Sequence, residues 1–159
     1  MRWIRALIAA SLLLGASQGA SALCVLCSCS ASVPTVAFGN YTPGVTGTVD
    51  ITRTMDVSCG GVAGFNLGYT VALSAGASNN FSTRAMTSGS NTLSYNLFHD
   101  GTSLIWGDGT GGSSTVPGSM TLIAVGSVTN HHTVFARLYG SQNVQPGSYS
   151  DTITVTVTW

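Results

Sequence analysis

The chain has 159 residues, which fits one domain, and only 6% of them are charged, with neither Lys nor Glu. Because 44% are hydrophobic and the formal net charge is zero, the composition excludes a disordered chain. Arg53, Arg84 and Arg137 are isolated, so nucleic-acid binding lacks its basic patch. Sparse charge and 20 glycines favour an all-β extracellular domain.

The first predicted element is a signal peptide over residues 1–22. Arg2 and Arg5 give it a positive start, residues 6–15 form a short apolar run, and Ala20-Ser-Ala22 matches a cleavage site. The apolar run is too short to span a bilayer. We therefore expect residues 23–159 to form one secreted or periplasmic domain without a membrane span.

The cysteines come next, and three of the four lie close together. They are Cys24, Cys27, Cys29 and Cys59. Export makes disulfides their expected fate, and Cys59 must form a long-range bridge if it pairs within the chain. A metal clip, with Cys59 or a histidine as the fourth ligand, and a redox pair are the alternatives.

Strand-like runs follow, separated by clusters of turn residues, and no segment shows a convincing helical period. Leu67, Tyr69, Val71 and Leu73 illustrate the pattern, because they alternate with smaller or polar residues along one run. At this spacing, six or seven strands predict a two-sheet antiparallel sandwich. The predicted strands cover residues 33–38, 46–59, 67–74, 91–99, 120–128, 131–139 and 148–159.

The last strand has the clearest alternation. Ile153, Val155, Val157 and Trp159 share one face, and four threonines occupy the other. Its edge carries no Lys or Pro that would discourage pairing with another strand. We therefore expect an open edge strand whose apolar face is a docking site for another chain.

Few residues suggest catalysis or metal binding. His131 and His132 are neighbours on a predicted strand and face opposite sides, so they cannot both bind one ion without a bend. His99 is the third histidine. Asp100 and Asp108 each precede Gly, which is typical of turns rather than of an acid–base pair. The sequence therefore predicts no catalytic residue, no metal and no cofactor.

The aromatic residues are interpreted mainly as core or strand-pairing residues. Trp106 is the best candidate for an exposed aromatic that contacts a surface, because it precedes the Gly-rich loop of residues 107–114. That loop has no Lys and precedes no predicted helix, so phosphate binding is not supported.

Several blocks, taken together, resemble the spore coat protein U family, which includes subunits of archaic, Csu-type chaperone–usher pili. They run in order across nearly all of the predicted mature chain. The blocks are Cys29-Ser-Ala-Ser32, Phe38-Gly-Asn-Tyr41 with Pro43, Cys59, residues 69–76, Arg84-Ala-Met86, residues 93–97, 105–112 and 147–157.

The resemblance implies an incomplete immunoglobulin-like sandwich that lacks its final strand. A periplasmic chaperone would lend a strand, and the N-terminal extension of a sibling subunit would replace it at an outer-membrane usher. The resemblance also implies a Cys29–Cys59 disulfide, with Cys24 and Cys27 as a second pair or as intermolecular links. It implies a structural subunit of a cell-surface pilus or coat, supporting adhesion or biofilm formation, and not an enzyme.

Two other expectations bear on this interpretation. A self-contained carbohydrate- or surface-binding module is the first alternative function, and such a module should be a stable monomer. A secreted hydrolase is the second alternative, and it would need a convergent polar pocket. If cleavage follows Ala22, only residues 23–28 precede Cys29. At about 3.3 Å per residue this segment is short for a donor strand, so the chain is expected to accept a strand rather than to donate one.

Overall fold

The computed structural model of the protein describes residues 26–99, 101, 103–123 and 126–159. Within these residues there are eight strands and one short 3-10 helix, Gly76–Ser78. The strands are β1 (Ser28–Ser32), β2 (Thr48–Gly60), β3 (Asn66–Leu73), β4 (Ala85–Ser88), β5 (Asn91–His99), β6 (Val116–Thr121), β7 (Val128–Tyr139) and β8 (Val155–Thr158).

The strands form two antiparallel sheets, which confirms the predicted all-β sandwich. One sheet has five strands in the order β1-β2-β7-β5-β4, and the other has three in the order β6-β3-β8. The longest pairing joins β2 to β7, from Thr48 opposite Tyr139 to Cys59 opposite Val128. β8 pairs with β3 and is an edge strand of the three-stranded sheet.

The core lies between the sheets and follows the two-residue period of the strands. Alternate residues of β2, β3, β5 and β7 are buried, as the alternation in β3 and β5 predicts. The buried hydrophobic residues of these four strands are Met55, Val57 and Cys59 from β2; Leu67, Tyr69, Val71 and Leu73 from β3; Leu93, Tyr95 and Leu97 from β5; and Val134, Ala136 and Leu138 from β7.

A disulfide joins Cys29 of β1 to Cys59 of β2, as the family resemblance implies. The two cysteines are direct partners in the antiparallel pair, with Cα atoms 4.1 Å apart. Cys27 is also disulfide-bonded, and Cys24 lies outside the described residues. The predicted signal peptide, residues 1–22, lies outside them as well. No helix in the described part of the chain is both long and apolar enough to cross a membrane.

Several strand boundaries differ from the prediction. Residues 33–38 are not a strand, and β1 lies just before them. The predicted strand 120–128 is replaced by β6, which begins at Val116 and includes Pro117. Pro lacks an N–H group, and β6 tolerates it because β6 is an edge strand. β4 has only four residues and no apolar alternation, so the sequence contains little sign of it.

Candidate functional site

A long apolar groove opens on one side of the sandwich and encloses about 990 Å³. One rim is formed by residues 33–41, after β1, and the other by residues 144–155, which lead into β8. The floor comes from both sheets. Its side chains are Met55, Leu73, Met86, Leu93, Tyr95, Leu97, Val134 and Leu138.

The rim of residues 33–41 and the outer edge of β8 leave backbone groups available beside the groove. Within the described residues, segment 33–41 makes no backbone–backbone hydrogen bond to the rest of the chain. It is held by side chains: the Tyr41 hydroxyl donates to the Gln142 carbonyl oxygen over 3.1 Å, and the Phe38 ring packs edge-on against Tyr95. β8 pairs only with β3 among the described strands. An extended segment between the rims could therefore add hydrogen bonds to both while covering the apolar floor.

Asp151 is the only charged side chain among the described residues that line the groove. The Tyr95 hydroxyl donates to Oδ2 of Asp151 over 2.7 Å. Burial, together with the hydrogen bond to Asp151, raises the pKa of the Tyr95 hydroxyl well above its usual value. The hydroxyl therefore stays protonated and acts as the donor. Oδ1 of Asp151 accepts from the backbone N–H groups of Ala77 and Thr152.

The predicted docking residues of the last strand divide into two pairs. Ile153 and Val155 line the groove. Val157 packs half-buried against the core opposite Val71, and Trp159 is 43% exposed; neither lines the groove. The alternation itself persists, because Thr152, Thr154, Thr156 and Thr158 are exposed.

The interpretation of Trp106 as an exposed surface contact is wrong. Its side chain is fully buried, and its indole N–H donates to the Val71 carbonyl oxygen over 3.0 Å. The backbone of Trp106 is also fixed, since its N–H donates to the Leu97 carbonyl oxygen. The Gly-rich loop that follows therefore begins inside the sandwich, and the exposed neighbour is Leu104.

Arg84 organises this closed side of the sandwich. Its guanidinium is fully buried and donates to the carbonyl oxygens of Ser74 and Trp106 and to Oδ1 of Asn96. Burial lowers the pKa of Arg84, but a guanidinium remains charged in proteins. In the sequence, Arg84 is an isolated cation, and nothing local predicts that three distant acceptors surround it.

The histidines do not converge on one site. His131 is exposed and contacts Asp56 over 2.7 Å, whereas His132 is buried beside the Tyr69 hydroxyl, 2.8 Å away. His99 lies near Ser114 and Trp106. Among the described residues, no group of three or more His, Cys, Asp or Glu side chains could hold a metal ion.

The sequence does not reveal the rim of residues 33–41 or the role of Asp151. The short, continuous apolar run of residues 33–38 predicts a strand in the first part of this rim. Asp151 does leave a signal: it shares the two-residue phase of Ile153 and Val155. A carboxylate at an inward-facing strand position needs a hydrogen-bond partner, which here is Tyr95.

Comparison with solved structures finds a relative with a similar fold. It is a chain of the chaperone–tip adhesion subunit pre-assembly complex, CsuC–CsuE, from the archaic chaperone–usher Csu pili of Acinetobacter baumannii. The sequences are 28% identical and the TM-score is 0.56. The match covers 85% of this chain but 40% of the solved chain. Comparison with curated protein sequences gives no significant match.

The fold and the groove together define a two-sheet sandwich with an open side. The sequence profile of the Spore Coat Protein U domain matches residues 16–156. This protein belongs to that family, which confirms the resemblance seen in its sequence blocks.

Proposed function

We propose that this protein is a structural subunit of a chaperone–usher pilus or a related surface coat. It is exported through the periplasm and reaches the cell surface. A periplasmic chaperone first inserts a strand into the groove, and a sibling subunit then replaces it at an outer-membrane usher. The assembled fibre supports surface adhesion or biofilm formation. Because the family is one of coat proteins and the solved relative comes from a pilus, the proposed role is structural rather than catalytic.

The groove is the observation that carries this proposal. It combines an apolar floor with a rim, residues 33–41, that makes no backbone–backbone hydrogen bond within the described residues, and with the outer edge of β8, which pairs with no described strand. Strand addition uses both features, since main-chain hydrogen bonds provide affinity and alternate side chains fill the pockets. Support also comes from the family and from the solved relative, which belongs to a chaperone–subunit complex.

A pair of neighbouring substitutions tests the proposal. Val155 lines the groove, whereas Thr156 is exposed on the opposite face of β8. Val155→Asp should reduce co-purification with the cognate chaperone by about tenfold or more, because it buries an unpaired charge. Thr156→Asp introduces the same charge one residue away and should retain recovery within about twofold of the parent.

A second measurement covers the case in which the Asp variants fold poorly. A synthetic peptide with alternating apolar residues should raise the thermal midpoint of the parent protein, since it binds only the native state. If the protein is a stable monomer and no such peptide raises its thermal midpoint, the proposal fails. The self-contained binding module would then be the better interpretation.

A further inference from the structure

The chain crosses from one sheet to the other at Asp151. Just before it, Ser150 and Thr87 of β4 exchange two backbone hydrogen bonds of 2.9 and 3.1 Å. Just after it, the Thr154 carbonyl oxygen accepts from the N–H of Ser74, beyond the end of β3. β4 belongs to the five-stranded sheet and β3 to the three-stranded sheet. Residues 151–153 therefore bridge the sheets at the groove rim.

The Asp151 carboxylate reinforces this bridge with its side chain. Oδ2 accepts from the hydroxyl of Tyr95, which belongs to β5 and is 4% exposed on the groove floor. Oδ1 accepts over 2.9 Å from the N–H of Ala77, in the 3-10 helix that follows β3. The 3-10 helix packs against β4, so the carboxylate fixes the crossing segment to the five-stranded sheet. The hydrogen bond between Thr154 and Ser74 joins the same segment to the end of β3.

Gly76 makes room for this carboxylate. Its φ angle is +70°, which favours glycine, and a Cβ atom at this position would overlap the Asp151 carboxylate. A side chain at residue 76 would therefore displace the bridge. The close approach explains why glycine stands at this position.

We propose that Asp151 is a positioning residue that holds the two sheets at the spacing a donor strand requires before that strand is inserted. This inference rests on the proposed function. An apolar groove tends to close, because burying apolar surface is favourable by roughly 25 cal/mol per Å². Closure lowers the fraction of molecules able to bind, and the apparent affinity falls by the same fraction.

This role predicts a specific kinetic signature. A bound donor strand itself holds the sheets apart, so the Asp151 bridge contributes little to the complex once formed. Loss of the bridge should slow association with a donor peptide and leave dissociation nearly unchanged. A residue that merely stabilises the fold, or one that contacts the donor directly, would give a different pattern.

The experiment uses the full exported chain and, as donor peptide, one fluorescent synthetic peptide with alternating apolar residues. Asp151→Ala should reduce the association rate constant about tenfold, with the dissociation rate constant within about twofold of the parent. Tyr95→Phe removes only the hydroxyl and should reduce association about threefold. Asp50→Ala removes an exposed carboxylate that does not line the groove; it is the control and should associate at the parental rate.

The outcomes separate this inference from the proposed function. If the parent binds no donor peptide, the proposed function fails and the inference fails with it. If the parent binds but both variants associate at the parental rate, whatever their thermal midpoints, only the inference is overturned. Faster dissociation with unchanged association also overturns it and assigns Asp151 to direct contact with the donor. Should Asp151→Ala be insoluble, the rates of Tyr95→Phe decide the matter.

Discussion

The core of this sandwich is completed differently on its two sides. On the closed side, around Trp106 and Arg84, side chains fill the space between the sheets, and Arg84 satisfies the buried acceptors around it. On the open side, the groove floor has well-packed side chains such as Leu93 and Leu97. Beside it, however, residues 33–41 and the outer edge of β8 have no backbone partner in the described chain.

The contrast shows where a strand from another molecule can contribute. The closed side has its buried polar groups paired within one chain, so an added strand would gain nothing there. The open side has apolar surface and backbone groups that only an inserted segment would cover. Stability should therefore depend on internal contacts on the closed side and on the donor on the open side.

The largest effect should come from removing the buried cation of the closed side. Arg84→Met leaves the carbonyl oxygens of Ser74 and Trp106 without a donor and removes one of the two donors to Oδ1 of Asn96. The free energy of unfolding should fall by about 3–5 kcal/mol, because each buried unpaired group costs about 1–3 kcal/mol. Chemical denaturation measures this change. Arg53→Met, at an exposed site, is the control and should cost less than about 0.5 kcal/mol.

The Cys29–Cys59 disulfide should stabilise the protein independently of the groove. Replacing both cysteines by Ser opens a loop with a sequence separation of 30 and should cost about 3.6 kcal/mol in the chain-entropy account. That account places the effect in the unfolded chain, so the stabilisation given by a donor peptide should stay the same. A smaller peptide effect in the double variant would show that the disulfide also shapes the groove.

A matched pair of valines compares the two sides directly. Val71 is fully buried on β3, whereas Val155 is half-buried at the groove. Val71→Ala should cost about 2 kcal/mol with or without donor peptide. Val155→Ala should cost less than about 1 kcal/mol alone and more when the peptide is bound, because the peptide completes its burial. Equal costs for Val155→Ala in both states would remove the distinction between the sides.

The smallest effect should come from an ion pair on the exposed surface. Arg137 donates two hydrogen bonds of 2.8 Å to Asp50, its cross-strand partner, and these bonds lower the pKa of Asp50 below 3.8. Because the native pKa is lowered, the pair stabilises the protein above the unfolded-state pKa, and this contribution is lost as pH falls through the native value. Exposure limits it to less than about 1 kcal/mol.

This effect can be read from acid titration of the unfolding free energy. Asp50→Asn should lack the corresponding acid-dependent loss, and its midpoint at neutral pH should be slightly lower than that of the parent. Donor peptide should leave the difference unchanged, since neither residue lines the groove. A peptide-dependent difference would mean that the outer face and the groove are coupled.

The sequence predicts an element well where the pattern within that element determines its structure, and poorly where residues far apart in the chain determine it. The pattern predicts β3 and β5 nearly to their ends, since Leu67, Tyr69, Val71 and Leu73 define the buried face by period alone. The prediction for β8 is too long, because the alternation continues through Asp151 and Ile153 while the backbone crosses between the sheets.

The residues that sequence reasoning misplaces are those whose partners are distant. Trp106 beside a Gly-rich loop suggests exposure, and only the position of Val71, 35 residues away, shows that the indole is buried. Arg84 likewise depends on Ser74, Asn96 and Trp106, which the fold brings together. A charge within an otherwise apolar phase, as at Asp151, predicts that a partner exists but does not identify it.

The position of the Cys29–Cys59 bridge also determines how the molecule responds to tension. A pull from the N-terminal side reaches the disulfide at the second residue of β1 and passes covalently into β2. Beyond Cys59 the chain leaves β2 at Gly60, so the covalent path bypasses the rest of β2, which lies between the two cysteines. Residues 33–41 lie inside the closed loop between the two cysteines. One rim of the groove therefore carries no load, and its contour cannot be drawn out while the disulfide is intact.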